Sequence, residues 1–321
     1  MGEFDAGAWD ARAMGWRFDE SLRVVTDAGH VTVHRSPSPG RPALLLTHGT
    51  GFCASTWIGV AEVLASAFDV YAIDRRGHGS SSAPDDAYDF TDFAADAMRV
   101  VDALGLRDAY AVGHSAGATD LLLCAAQRPD AFRKLFVMEP TAMHPDEPGV
   151  RAAMAPLHAE MLEVFARRRS VFESRTAVLE WYARRDAYAD WRPDVVEAMV
   201  DGGYRELDDG SLELRCAPAS ETAMLRRIFA AMEGTYRVGE ADHPFEALRR
   251  VRQPTRIVTT EHSQPIYREM AEVVRRLVPD TSHVHLDGLG HLAAQVDPPR
   301  VAAEILRFWD TDVRMAAHTD I

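Results

Sequence analysis

Residues 113–117 read Gly-His-Ser-Ala-Gly, and a serine held between two glycines can serve as a nucleophile or merely fill a tight turn. The flanking residues favour the nucleophile. Residues 108–112 (DAYAV) form an apolar run of strand length, and residues 116–127 (AGATDLLLCAAQ) carry leucines at helical spacing. Strand, sharp turn, helix is the arrangement that lifts a serine Oγ above a sheet edge and points the first N–H groups of the helix at whatever binds there. Gly113 and Gly117 would remove side chains where strand and helix crowd each other.

A serine hydroxyl is a poor nucleophile at neutral pH, so Ser115 needs a base, a group that orients the base, and donors for an oxyanion. His291 is the expected base, because it sits in the loop GLGH between the last strand pattern and the closing helix pattern PPRVAAEILRFW. The expected oxyanion donors are the backbone N–H groups of Ala116, directly after the serine, and of Thr50. Thr50 lies in the turn His48-Gly49-Thr50-Gly51 that ends the apolar run PALLLTHG, with Gly51 as the substitute donor. Each donor contributes on the order of 3 kcal/mol of transition-state stabilisation.

These residues need a rigid frame, and the remaining patterns supply one. SLRVVT and HVTVHR read as a hairpin joined by Asp27-Ala28-Gly29, and FDVYAID and KLFVMEP as further buried strands. FTDFAADAMRVVDALG is a helix pattern that stops at Gly105, where a capping glycine is expected. Strands alternating with helices predict an α/β fold, with a mostly parallel sheet covered on both faces. The rhythm breaks at Pro140. Residues 140–253, roughly 110 in all, are nearly all helical in pattern, far longer than a connecting loop. They are expected to form a helical cap inserted into a core made of residues 1–139 and 254–321. The sheet resumes with TRIVTT and SHVHLDG around the helix YREMAEVVRRLV, and the tail DTDVRMAAHTDI is expected to be poorly ordered.

In order along the chain, HGTGF, DRRGHGSS, GHSAG and GLGH resemble the α/β-hydrolase superfamily, and the likeness runs from about residue 21 to residue 309. The resemblance implies an eight-stranded sheet, a lid between strands six and seven, and a Ser–His–acid triad. It also implies that the RGHGSS loop, with Arg75, Arg76 and His78, is structural. The commonest pattern has an aspartate shortly after strand seven, but here that loop is VTTEHSQPIY, with Ser263 near the expected position. Two acids remain: Glu261 in the same loop, and Glu139 at the end of strand six in LFVMEP. Glu139 is preferred, because a carboxylate at the end of an apolar strand needs a partner and His291 Nδ1–H would be a fitting one. Haloalkane dehalogenases and certain lactonases place their acid at this strand-six position. Both choices keep the order Ser, acid, His.

The cap carries Trp181, Tyr182, Tyr188 and Trp191, which would either line an apolar acyl pocket or bury the cap's own core. ARRRS (166–170) could recognise a substrate carboxylate, or could be a solvated helix face. His144 and His158, near Asp146 and Glu160, match no compact metal site, so no metal or cofactor is expected.

The 321 residues, 47% hydrophobic and 26% charged, suit one large domain with an accessory lobe. A net charge of −14 argues against nucleic-acid or membrane partners. Cys53, Cys124 and Cys216 have unrelated spacings that suit a reducing compartment, and the start lacks a signal-peptide pattern, so a soluble cytoplasmic protein is expected. The oligomeric state stays open, a homodimer included.

The expected activity is cofactor-free serine hydrolysis of a carboxylic ester or lactone of a small, largely apolar molecule, with Ser115, His291 and Glu139 as triad. The same constellation serves C–C bond hydrolysis, acyl transfer, a lyase, or a slow-turnover small-molecule receptor. A serine in place of an aspartate nucleophile argues against dehalogenase and epoxide hydrolase chemistry.

Overall fold

The computed structural model describes residues 17–143, 151–236 and 243–316, so His144 and Asp146 lie outside the described residues. Glu20–Thr26 (β1) and Gly29–Ser36 (β2) form the predicted hairpin, paired antiparallel from Glu20↔Arg35 to Thr26↔Gly29. Ala43–Thr47 (β3), Ile58–Leu64 (α1) and Asp69–Asp74 (β4) follow. Phe90–Ala103 (α2) starts at a capping box between Asp89 and Asp92 and ends just before Gly105, whose φ of +62° is the left-handed cap predicted there. Ala109–His114 (β5), Ala116–Gln127 (α3) and Phe132–Met138 (β6) complete the first part of the core.

Between β6 and the next strand of the large sheet lie Arg151–Ala166 (α4), Val171–Phe172 (β7), Arg175–Ala183 (α5), Pro193–Gly203 (α6), Tyr204–Glu206 (β8), Leu212–Leu214 (β9) and Pro218–Met232 (α7). This segment is not purely helical: β7, β9 and β8 pair antiparallel into a three-stranded sheet. Strands of two or three residues are too short to show a period-two pattern, so the sequence reads as helices and loops there. The core resumes with Thr255–Thr260 (β10), Pro265–Leu277 (α8), Thr281–Leu286 (β11), Ala293–Val296 (α9) and Pro298–Ala316 (α10). The last helix continues through residues 310–316, the first part of the tail expected to be poorly ordered; residues 317–321 lie outside the described ones.

The large sheet has eight strands in the order β1-β2-β4-β3-β5-β6-β10-β11, parallel from β4 onward. Successive residues of a strand face opposite sides, and in β3 this sorts the core. Leu44 and Leu46 join Trp57, Phe68 and Trp309 in one cluster with α1 and α10, while Leu45 joins the cluster of α2, α3 and α8 on the other face. A third cluster holds the inserted segment together around Phe172, Tyr182, Trp191 and Met199, with Cys53 and Ile58 of the core packed into it. No described helix is long and apolar enough to cross a membrane. All three cysteines are buried and unpaired.

Candidate active site

Ser115 occupies the sharp turn between β5 and α3 with φ 53° and ψ −124°, a conformation that a side chain rarely adopts. Its N–H donates to the Met138 carbonyl at 2.8 Å, which ties the turn to the end of β6. A Cβ on Gly113 would strike the backbone of Ala118, and one on Gly117 would strike the carbonyls of Thr47 and His48, as the crowding argument requires. Among the described residues only Ala87, Asp108, Ser115 and Glu139 combine a side chain with positive φ. Two of the four are residues the sequence singles out for chemistry, and such strain persists only where the surroundings enforce it.

Glu139 ends β6 with φ 45°, its N–H bonded to the Val258 carbonyl at 3.0 Å. Its carboxylate is 1% exposed and collects four donors. Oε1 accepts from Thr260 N–H at 2.9 Å and Thr260 Oγ1 at 2.7 Å; Oε2 accepts from Ser263 Oγ at 2.7 Å and His291 Nδ1 at 2.6 Å. Burial opposes the charge, yet His291, Ser263 and Thr260 together hold the carboxyl below its ordinary pKa. With Nδ1 donating, Nε2 of His291 carries the free lone pair that a base requires. Ser263, at the position where an aspartate is commonest, supports the carboxylate of Glu139 instead. Glu261 is not brought to His291: it is fully exposed, and its Oε2 accepts from Gly288 N–H at 2.6 Å, which lowers its pKa.

The His291 ring is held on two sides, stacked on Tyr267 at 4.1 Å between centroids and tilted against His114 at 4.5 Å. His114 Nε2 donates to the His291 carbonyl at 2.7 Å, so the residue before the serine fixes the loop of the histidine. Burial pushes the His114 pKa down to about 3, and the ring is therefore neutral. Ser115 is 8% exposed, and its hydroxyl has no hydrogen-bonded partner among the described residues. Sequence reasoning missed His114, Thr260, Ser263 and Tyr267 as partners of the pair. A histidine inside the otherwise apolar β5 was the one visible signal.

The N–H groups of Thr50 and Ala116 donate to no described residue, and both residues line one cavity with Arg75, Phe93, Met224 and Arg227. Gly51 is not an open substitute donor, because its N–H donates to His78 Nε2 at 2.9 Å. His78 Nδ1–H in turn donates to the Arg76 carbonyl at 3.0 Å, and burial takes the ring down to a pKa of about 3. His48 spans the same turn: Nδ1 bonds the Gly49 carbonyl at 2.8 Å, Nε2 accepts from Arg75 N–H at 3.1 Å, and burial keeps it neutral. Gly49 abuts Ser115, since a Cβ there would lie 3.1 Å from Ser115 Cβ. Arg75 is clamped by Asp120 at 2.6 and 3.2 Å and lies 4.0 Å over Phe93. The RRGHG loop thus holds the Thr50 turn from below.

Tyr182 and Trp191 are buried in the inserted segment's own core, whereas Trp181 and Tyr188 line an open groove of about 1070 Å³. Within ARRRS, Arg168 is half-buried against Glu221, and Arg167 and Arg169 are exposed. His158 bonds Glu233 at 2.8 Å and stacks on Phe229. No cluster of three or more metal-ligating side chains exists among the described residues.

A family model described as the alpha/beta hydrolase family matches residues 44–304. The chain is 28% identical over 292 residues to 2-(acetamidomethylene)succinate hydrolase of Mesorhizobium japonicum, covering 91% of this chain and 96% of that protein. A crystal structure of E-2-(acetamidomethylene)succinate hydrolase superposes with a TM-score of 0.74 at 26% identity, covering 92% of this chain and all of the other. N-formylmaleamate deformylase of Pseudomonas putida is 33% identical over 175 residues, 52% of this chain and 63% of its own length. With the eight-stranded sheet, the serine turn and this match over most of its length, the chain belongs to the α/β-hydrolase family.

Proposed function

We propose that the protein is a cofactor-free serine hydrolase that cleaves an acyl bond, a carboxylic ester or lactone, through a Ser115–His291–Glu139 triad. The observation that carries this reading is the 2.6 Å pair of His291 Nδ1 with a buried Glu139, beside a strained serine turn and two N–H groups, of Thr50 and Ala116, that donate to no described residue. Ser115 Oγ attacks the carbonyl carbon while His291 Nε2 takes its proton, and Glu139 stabilises the imidazolium that forms. The carbonyl oxygen, now an oxyanion, is received by the Thr50 and Ala116 N–H groups. The intermediate collapses, the C–O bond breaks, and His291 returns the proton to the departing alkoxide. Water, deprotonated by His291, then attacks the acyl-serine and releases the acid.

A second reading is supported by what the relatives are named for. An acetamidomethylene succinate hydrolase and a deformylase both have C–N acyl bonds in their substrates' names, and the same triad cleaves an amide when His291 protonates the leaving nitrogen. Hydrolysis of 4-nitrophenyl esters, acetate through octanoate, alongside the matching 4-nitroanilides separates the two readings. Steady turnover by the wild type, lost by at least about a thousandfold in Ser115→Ala, is expected. Turnover that survives in Ser115→Ala contradicts both.

A further inference from the structure

We propose that Arg168 is the carboxylate-binding residue of the substrate site, so that the acyl group cleaved at Ser115 carries a free carboxylate remote from the scissile carbonyl. The inference rests on the serine-hydrolase reading and narrows its substrate class. Three successive arginines occupy positions 167–169, and their surroundings differ sharply. The side chains of Arg167 and Arg169 are 82% and 47% exposed, against 11% for Arg168. The Arg168 charge is met by Glu221, itself 3% exposed, but in an end-on geometry: Nη1 alone donates to Oε1 at 3.0 Å and Oε2 at 2.8 Å. Nε and Nη2 make no hydrogen bond with any described residue. A guanidinium has five donors in a planar fork, and this edge is not among the buried polar atoms left without a partner, so it is open to a ligand from the groove side.

The position of this fork relates it to the serine. On one side, Arg168 lines the open groove with Tyr188 and with Trp181, whose ring lies 5.6 Å from the guanidinium. On the other side, Arg168 Nη1 would lie 3.7 Å from a Cβ on Gly51, and that Cβ would collide with the Glu221 carboxylate. Gly51 follows Thr50 in the oxyanion turn, and Gly49 of that turn abuts Ser115. Groove, guanidinium, oxyanion turn and nucleophile are therefore consecutive neighbours. A carboxylate is the planar anion whose two oxygens match the Nε and Nη2 edge. Five arginines line the groove, with Arg184 and Arg185 joining the three; Arg167, Arg168, Arg169 and Arg184 are each paired with one glutamate, Glu163, Glu221, Glu173 and Glu180 in turn, and of these four only the Arg168 side chain is mostly withdrawn from solvent.

The test compares 4-nitrophenyl hemiglutarate with 4-nitrophenyl valerate, which differ by a terminal carboxylate in place of a methyl group. The wild type is expected to favour the glutarate ester in kcat/KM by about tenfold or more, the scale of a charge-assisted hydrogen bond. That ratio should fall several-fold in Arg168→Lys, which keeps a charge opposite Glu221 but not the fork, and to near one in the double variant Arg168→Met/Glu221→Met, which leaves no lone buried charge. A ratio unchanged in both variants, or a wild type that prefers valerate, overturns the proposal. Calorimetric binding of glutarate reads the site without turnover. If neither ester is cleaved, the serine-hydrolase reading fails while glutarate binding, weakened in both variants, would still support Arg168; no binding, or equal binding, would overturn it.

Discussion

Glu139 places four hydrogen bonds on two oxygens, and one of them is the bond that leaves the His291 lone pair free at Nε2. An amide in its place offers a single acceptor oxygen and an NH₂ group that faces a donor, so His291 loses its preferred tautomer. Glu139→Gln should therefore lower kcat/KM for a 4-nitrophenyl ester by about a thousandfold or more, while Glu261→Gln stays within about threefold. The reverse pattern in the same assay would shift the acid to Glu261. At this scale the sharp turn at Ser115 and the loop that carries His291 were legible because each stands in a short pattern tied to a strand end. Glu139 was legible only as one of two choices. Thr260 and Ser263 were not, since their bond to Glu139 depends on β6 and β10 lying side by side although 116 positions separate Met138 from Thr255 in sequence only by way of the inserted segment.

In the proposed mechanism the chemistry depends most on the turn 48–51, and that turn is held by groups from elsewhere. His78 takes the Gly51 N–H, His48 bridges Gly49 and Arg75, and Glu221 packs against Gly51 from the inserted segment. Removing the acceptor frees the Gly51 N–H and lets the Thr50 donor drift. We expect His78→Ala to lower kcat about ten- to a hundredfold with a smaller change in KM, because the loss falls on the transition state. A rise in KM with kcat unchanged would mean that His78 supports substrate binding instead. The strands of the large sheet were legible because they are buried runs bounded by glycine and polar turns. The small sheet of β7, β8 and β9 was not, since pairing between such short strands is decided by tertiary contacts that carry no local pattern.

Across the whole molecule, His48, His78 and His114 are buried and neutral, with burial taking His78 and His114 to a pKa of about 3. An unfolded histidine titrates near 6.5, so between pH 6.5 and about 3 the unfolded chain binds protons that the folded one refuses. The stability these rings contribute is whole above pH 6.5 and is lost as pH falls, by on the order of 1 kcal/mol per pH unit for each ring. The urea midpoint should drop steadily from pH 7 to pH 5. A midpoint that stays level over that range would contradict the neutral, buried assignment. The overall architecture was legible because the helix and strand periods alternate over long stretches, whereas the contact between the inserted segment and the 48–51 turn brings together residues that share no local pattern.

The most direct test of the central claim is the intact mass of the protein after treatment with a fluorophosphonate probe. The account predicts one adduct on the wild type, located at Ser115, none on Ser115→Ala, and slow labelling of Glu139→Gln. A wild type that gains no adduct, or an adduct that persists in Ser115→Ala, would contradict the assignment of Ser115 as an activated nucleophile.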